Sequence, residues 1–225
     1  MTDMYENEKI AASTQAISHV LDNQIIGVGT GSTVNYFIKL LANEKHRIKG
    51  TVASSKATEL LLKKYKIPVF ELNDIFKNND LKIDVYIDGA DEYNSSHVLI
   101  KGKGGALTRE KIIAAASDKF VCIVDSSKET CGLFGIIPIE VIPMSRGYVS
   151  NEIKKIGGTP IYREKFVTDN GNIIIDIHNL VTSDPLKLEM QLNNIPGIVC
   201  NGIFAINTPD VIISGSRKYR NTTCD

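Results

Sequence analysis

Gln24-Ile25-Ile26-Gly27-Val28-Gly29-Thr30-Gly31-Ser32-Thr33-Val34-Asn35-Tyr36-Phe37-Ile38-Lys39-Leu40-Leu41 runs from an apolar segment, through alternate glycines with hydroxyl neighbours, into apolar residues at helical spacing. The reading is a short strand over Gln24 to Val28, a turn over Gly27 to Thr33 and a helix through Val34 to Leu41. The next segments repeat the alternation. Gly50 to Ala53 reads as a strand, and Lys56 to Lys64 as a helix that stops before Ile67-Pro68. Val69 to Leu72 and Ile83 to Ile87 read as further strands, Val98 to Ile100 as the end of another, Thr108 to Ser117 as a helix and Phe120 to Val124 as a buried strand. Upstream, Ile10, Ala11, Ala16, Ile17, Val20 and Leu21 place a first helix over Glu8 to Leu21. Near-continuous apolar strands alternating with helices imply an α/β fold: an open, mostly parallel Rossmann-like sheet with helices on both faces.

After Val124 the texture changes. Between about Ile139 and Ala205, Glu140 to Met144 and Pro160 to Phe166 are strand-like, and Val149 to Ile156 is helical. Asp169-Asn170-Gly171-Asn172 suits a hairpin turn, with positive φ expected at Asn170 and Gly171. A helix near Pro185 to Leu192 and a strand over Gly197 to Phe204 complete a β-α-β-β-α-β order, which is the ferredoxin-like motif. The expected organisation is therefore a catalytic core of residues 1–132 and 206–225, closed by a last strand at Val211 to Ser214. A small α+β ferredoxin-like domain, residues 133–205, is inserted into it. The tail from Arg217 to Asp225 is polar and carries no assigned role.

The charge balance is neutral, with 26 basic and 26 acidic residues among 225. No global field points to nucleic acid or a membrane surface, so any anion site must be local. Cys122, Cys131, Cys200 and Cys224 are far apart with no CxxC pair, which disfavours both a zinc site and a disulfide framework. The polar start and the absence of a long apolar run give no export or membrane signal, so a cytoplasmic location is expected.

Four loops follow expected strands and are read as emerging from one sheet edge, where an open α/β sheet binds ligands. Thr30, Gly31, Ser32 and Thr33 open a helix, whose amide groups and dipole favour an anion. Ser32 stands where a dinucleotide fingerprint needs its third glycine, and the next strand ends in Ala53-Ser54-Ser55-Lys56 without an acidic residue. A small phosphorylated ligand fits better than NAD. Asp88, Gly89, Ala90 and Asp91 place carboxylates at a strand end, suited to holding a sugar hydroxyl or moving its proton. Two aspartates also suit Mg²⁺, and helix capping is the plainer alternative. Lys101, Gly102, Lys103 and Gly104 precede Glu110: a fixed cation, a glycine loop and a carboxylate placed to move protons beside an anion. Read alone, Glu110 is equally a first-turn acid complementing the helix dipole. Lys128 follows Val124-Asp125-Ser126-Ser127 and adds a second cation.

In order, GVGTGST, ASSKAT, DVYIDGADE, KGKGGALTREK and VDSSK resemble ribose-5-phosphate isomerase of type A. GGTPIYR, VTDNGNIIIDIH and IPGIVCNGIF extend the resemblance through the small domain. It implies interconversion of D-ribose 5-phosphate and D-ribulose 5-phosphate in the non-oxidative pentose phosphate pathway. It also implies no metal and no organic cofactor, and a homodimer or homotetramer. The family's proton acceptor falls on Glu110, its hydroxyl-proton group on Asp88 and its oxyanion cation on Lys101. The substrate loops fall on Thr30 to Thr33, Asp88 to Asp91, Lys101 to Gly104 and Lys128. Lys103 departs from the pattern, since the family commonly has glycine there.

Two rival readings remain. Amino-sugar phosphate deaminases and lactonases share a glycine-rich phosphate turn and a sheet-edge aspartate, but the glutamate of TREK beside KGKGG favours an isomerase. A sugar-phosphate-binding regulator would need a DNA-binding module, and the residues before the first strand are too few and too little basic for one.

Overall fold

A computed structural model describes residues 4–77, 82–130, 135–180 and 183–216. By their contacts these residues form two units: Met1–Ala90 with Arg109–Lys128 and Pro209–Asp225, and Asp91–Thr108 with Glu129–Thr208, each taken over its described residues.

The larger unit is built on five parallel strands: β1 (Ile25–Val28), β2 (Gly50–Ala53), β3 (Val85–Asp88) and, numbered in chain order with the other unit, β6 (Phe120–Val124) and β12 (Val211–Ser214). Their order is β12-β6-β3-β1-β2. Counted within the unit this is 2-1-3-4-5, a doubly wound arrangement whose order reverses between β1 and β3. Helices α1 (Met4–Ala16), α2 (Ser32–Glu44), α3 (Lys56–Lys64) and α4 (Leu72–Lys77) belong to the same unit. Val28, Val34, Phe37, Ile38, Leu41, Leu62, Ile87, Val121 and Ile123 form its buried core. Ser55 starts α3 by accepting the Thr58 N–H at 3.0 Å, a side-chain N-cap.

The smaller unit contains β4 (Glu92–Tyr93), β5 (Leu99–Ile100), β7 (Ile136–Val141), α6 (Arg146–Lys155), β8 (Thr159–Tyr162), β9 (Ile173–His178), α7 (Pro185–Asn193), β10 (Ile198–Asn201) and β11 (Ile203–Phe204). Strands β10-β7-β9-β8 make an antiparallel sheet, and with α6 and α7 they follow the β-α-β-β-α-β order expected of the ferredoxin-like motif. Ile137, Ile139, Val149, Ile153, Ile175, Ile177, Leu188 and Leu192 fill its core. The remaining helix, α5 (Leu107–Ala115), contributes Leu107 and Thr108 to this unit and continues as part of the larger one.

Several expected strands resolve differently. Val69 to Leu72 is no strand: Thr51 N–H donates to Pro68 O and Phe70 N–H to Thr51 O, leaving one bridge at Val69 before α4 begins at Leu72. Val98 to Ile100 does not reach the parallel sheet. Leu99–Ile100 pairs antiparallel with Glu92–Tyr93 and Ile203–Phe204 in a separate three-stranded sheet. The cause is local, because the Asn94 side chain accepts the N–H groups of Ser96 and Val98 at 3.0 Å each and folds the chain back into a hairpin. The contact division accordingly places Asp91–Thr108 with the smaller unit, where the sequence reading had it in the core.

Gly197 to Phe204 splits into β10 and β11, which lie in two sheets. At the Asn-Gly turn, Gly171 has φ +85° while Asn170 is not among the described residues with positive φ. Gly171 N–H donates to Thr168 O and Thr168 N–H to Asn172 O, a three-residue loop that closes on a left-handed glycine. The first helix ends at Ala16 and passes into a short 3₁₀ turn, Ile17–His19. The strand expected over Glu140 to Met144 is shifted to Ile136–Val141, and Pro143 opens a 3₁₀ turn after it. Cys131, Cys224 and the tail from Arg217 lie outside the described residues.

Candidate active site

In the larger unit, β1 and β3 flank the point where the strand order reverses, and the loops at their carboxyl ends open the crevice that such sheets use for ligands. Register pairs Gly27 with Tyr86 and Val28 with Ile87, and Gly29 N–H donates to Ile87 O at 2.9 Å. Alternation along β3 sets Tyr86 and Asp88 on the same face. The glycines of β1 are the counterpart of those side chains. A Cβ on Gly27 would meet Tyr86 Cδ2 at 2.9 Å and Ile113 Cγ2 at 2.7 Å, and one on Gly29 would meet Asp88 Cγ and Oδ1 at 1.9 Å. Gly27 and Gly29 are thus glycine for the room that Tyr86, Ile113 and Asp88 take up. Gly31, at φ +130°, is glycine for its backbone and starts α2.

Asp88 has no exposed surface. Its Oδ1 accepts the Thr30 N–H at 2.9 Å and the Gly89 N–H at 2.7 Å, and its Oδ2 accepts the Tyr86 hydroxyl. Both oxygens therefore have fixed directions. Tyr86 is itself fully buried, and its phenol is pushed well above its ordinary range, first by burial and then by the charges of Asp88 and Glu110. The Glu110 carboxylate, in the first turn of α5, is thus in the electrostatic neighbourhood of Tyr86. Glu110 is 4 % exposed, so the plain reading of it as a solvated first-turn acid does not hold.

The turn Thr30-Gly31-Ser32-Thr33 is held from beneath by hydroxyls. Thr30 Oγ1 lies 2.8 Å from both Ser54 Oγ and Ser55 Oγ and 3.2 Å from Thr58 Oγ1, while the Thr58 hydroxyl donates to Gly29 O at 2.7 Å. Thr30 therefore uses its side chain to secure the loop. What the turn offers a ligand is the start of α2, where the N–H groups of Ser32, Thr33 and Val34 have no acceptor within the helix. Gly31 and Ser32 are exposed there. Lys128 ends a 3₁₀ turn after β6 and is half-buried; Asp125 shapes that turn by accepting from the Ser127 N–H at 3.0 Å and the Ser127 hydroxyl. The larger unit thus carries Thr30 to Thr33, Asp88, Gly89, Ala90, Glu110 and Lys128.

Asp91, Lys101, Gly102, Lys103 and Gly104 belong to the smaller unit. Asp91 Oδ2 accepts the Lys103 N–H at 2.8 Å, which fastens the glycine loop to the start of the β4–β5 hairpin. Lys101 is 3 % exposed; its N–H donates to Gly202 O at 2.9 Å and its Nζ lies 5.7 Å from the Phe204 ring centre. Gly102 (φ +104°) and Gly105 (φ +76°) make the turn, closed by Gly105 N–H to Gly102 O at 2.8 Å. Lys103 stands at a position that needs no left-handed backbone and points into solvent, so a lysine in place of glycine leaves the loop's conformation intact.

Sequence reasoning missed Tyr86, the Ser54, Ser55 and Thr58 hydroxyls, and Glu140. A signal existed for Tyr86, which precedes Asp88 by one strand repeat. Glu140, on β7 of the smaller unit, has no exposed surface and accepts from the Thr108 hydroxyl, Thr168 Oγ1 (2.8 Å), Asn172 Nδ2 (2.7 Å) and Asn170 Nδ2 (3.2 Å). Its partners lie at the start of a helix and around a hairpin turn, a combination that no local pattern encodes. Among the described residues no group of three or more His, Cys, Asp or Glu side chains is arranged to hold a metal ion, and no helix is long and apolar enough to cross a membrane.

Residues 50–218 match the model of the family described as Ribose 5-phosphate isomerase A (phosphoriboisomerase A). The chain is 54% identical over 215 residues to ribose-5-phosphate isomerase A of Legionella pneumophila, covering 95% of this chain and 97% of that protein. It is 49% identical over 216 residues to ribose-5-phosphate isomerase A of Pasteurella multocida, covering 95% and 96%. The crystal structure of ribose 5-phosphate isomerase A from Neisseria gonorrhoeae superposes with a TM-score of 0.90 at 44% identity, over 96% of this chain and 95% of that one. Matched by the family model and along nearly its whole length by these relatives, the chain belongs to the ribose 5-phosphate isomerase A family.

Proposed function

We propose that Glu110 carries the proton in the interconversion of D-ribose 5-phosphate and D-ribulose 5-phosphate, the aldose–ketose isomerisation that this chain catalyses as a member of its family. The observation that supports this most is a buried carboxylate on α5, whose charge acts on the phenol of Tyr86, the partner of Asp88, at the reversal point of the sheet. In the open-chain aldose, Glu110 takes the proton from C2, giving a cis-enediolate, and returns it to C1. Asp88 passes the hydroxyl proton from O2 to O1, so the enediolate charge moves to O2 and collapses to the C2 carbonyl as Glu110 delivers its proton to C1. A carboxylate suits this shuttle because one group serves as base and then as acid. Lys101, by family resemblance, offsets the charge that develops on the enediolate oxygen.

The phosphate is assigned to the N–H groups that open α2 at Ser32 and Thr33, with Lys128 as a cation for it. The remaining loop residues, Gly89, Ala90, Asp91 and Gly102 to Gly104, enter as substrate-binding positions on the same resemblance. No metal or organic cofactor is needed for proton transfer by carboxylates, so full activity is expected after exhaustive EDTA treatment. We further propose a cytoplasmic location and a homodimer or homotetramer, the latter to be read by light scattering.

The decisive experiment is Glu110→Gln, assayed with ribose 5-phosphate in a coupled reaction beside arabinose 5-phosphate and glucosamine 6-phosphate. The variant is expected to bind substrate and to lose nearly all turnover; wild-type turnover would overturn the role of Glu110. Turnover of glucosamine 6-phosphate alone by the wild type would favour the deaminase reading.

A further inference from the structure

We infer that the buried hydroxyl of Tyr86 is a positioning group for Asp88, holding its carboxylate in the direction from which it exchanges protons with the substrate oxygens. The inference rests on the proposed role of Asp88. Tyr86 has no exposed surface, so it acts through another residue or not at all. Its ring is seated without need of the hydroxyl: it packs on Phe120 at 5.1 Å between centroids and lies over the bare backbone of Gly27. A phenylalanine would fill the same space. Burying a hydroxyl costs free energy unless a partner answers it, and the partner here is Asp88 Oδ2.

The other half of the arrangement is already fixed. Oδ1 takes the Thr30 and Gly89 N–H groups, both from the backbone of the two loops that flank the crevice. Tyr86 supplies the donor that backbone does not, to the second oxygen. A carboxylate that accepts on both oxygens has its plane set, which is what a group relaying a proton between neighbouring substrate oxygens requires. Charged groups facing the phenol are Asp88 on its own strand and Glu110 from α5, with the Ser54 hydroxyl beside it. Both carboxylates keep the phenol in its protonated, donating form.

The test is a double-mutant cycle of Tyr86→Phe and Asp88→Asn, with kcat and KM for ribose 5-phosphate and the urea midpoint recorded for each protein. Tyr86→Phe is expected to lower kcat about tenfold or more, as misplacement of a catalytic group does, and to leave KM within about twofold. In the Asp88→Asn background the same change is expected to leave the residual kcat unaltered, since the carboxylate being positioned is gone. Independent, multiplicative losses would overturn the inference, as would wild-type kcat in Tyr86→Phe. Collapse of the Tyr86→Phe fold would overturn it too, by making the hydroxyl structural. Wild-type kcat in Asp88→Asn alone would remove the assignment of Asp88, and this inference with it.

Discussion

The side chain of Asp88 fills the space that a Cβ on Gly29 would need, 1.9 Å from its Cγ and Oδ1. A contact that short cannot be relieved by a small adjustment, because Asp88 is tied to Thr30, Gly89 and Tyr86. Gly29→Ala is therefore expected to displace the carboxylate. Overpacking of this kind costs about 1–3 kcal/mol of stability, and a lower urea midpoint together with a loss of kcat at least as large as that of Asp88→Asn is the expected result. Retention of full kcat would mean that the position of Asp88 does not matter.

Lys101 is almost fully buried while Lys103, two residues on, is exposed, so the two lysines of KGKGG have different surroundings. If Lys101 acts on the developing oxyanion, Lys101→Met keeps most of the apolar stem and removes the charge with its N–H donors. The expected loss is roughly 3–4 kcal/mol of transition-state stabilisation, by analogy with a deleted oxyanion donor, seen in kcat more than in substrate affinity. Equal losses in kcat/KM and in binding affinity, with kcat unchanged, would instead make Lys101 a phosphate or ground-state contact.

The strand, turn and helix that begin at Gln24 were legible because period-two and helical spacing are local properties, and the observed elements, Ile25–Val28 and Ser32–Glu44, lie close to the expected ones. The partner of a short apolar run is not a local property. Val98-Leu99-Ile100 carries no mark that it pairs in a hairpin rather than in the parallel sheet; the mark lies in the Asn94 side chain that bends the chain upstream. The same limit governs the glycines of GVGTGST. They read as an anion cradle, yet two of them are glycine because Tyr86 and Asp88, nearly sixty residues away, need the room. Of the candidate residues, burial of Asp88, Lys101 and Glu110 separates them from ordinary surface charges, and burial is a product of the whole fold.

Glu140 is a second buried carboxylate, and its task in the smaller unit is to gather donors. Thr108 at the start of α5, Thr168, Asn170 and Asn172 of the hairpin turn all point to it. Glu140→Leu would leave the buried Thr108 and Thr168 hydroxyls without this acceptor, each at about 1–3 kcal/mol, so destabilisation of at least about 2 kcal/mol is expected. Thr108→Val removes one donor and should cost less than Glu140→Leu. Urea unfolding of the three proteins checks the order; a Glu140→Leu protein as stable as the wild type would mean that the network contributes nothing net.

The Tyr86 phenol has a pH signature of its own. Burial and the two neighbouring carboxylates raise its folded-state pKa above the value near 10 that it has when unfolded. Below pH 10 both states keep the proton and stability does not change with this group. Above it the unfolded chain releases the proton while the native state holds it, so stability falls as pH rises, by about 1.4 kcal/mol per pH unit for one proton. Other tyrosines and the lysines titrate in the same range, so the informative quantity is the difference between wild type and Tyr86→Phe. That variant is expected to lose stability less steeply between pH 10 and 11, by a slope that rises toward one proton's as the unfolded phenol ionises, in urea unfolding curves taken at matched ionic strength. Parallel slopes for the two proteins would show that the phenol ionises in the native state as freely as in the unfolded one, and that Asp88 and Glu110 do not act on it.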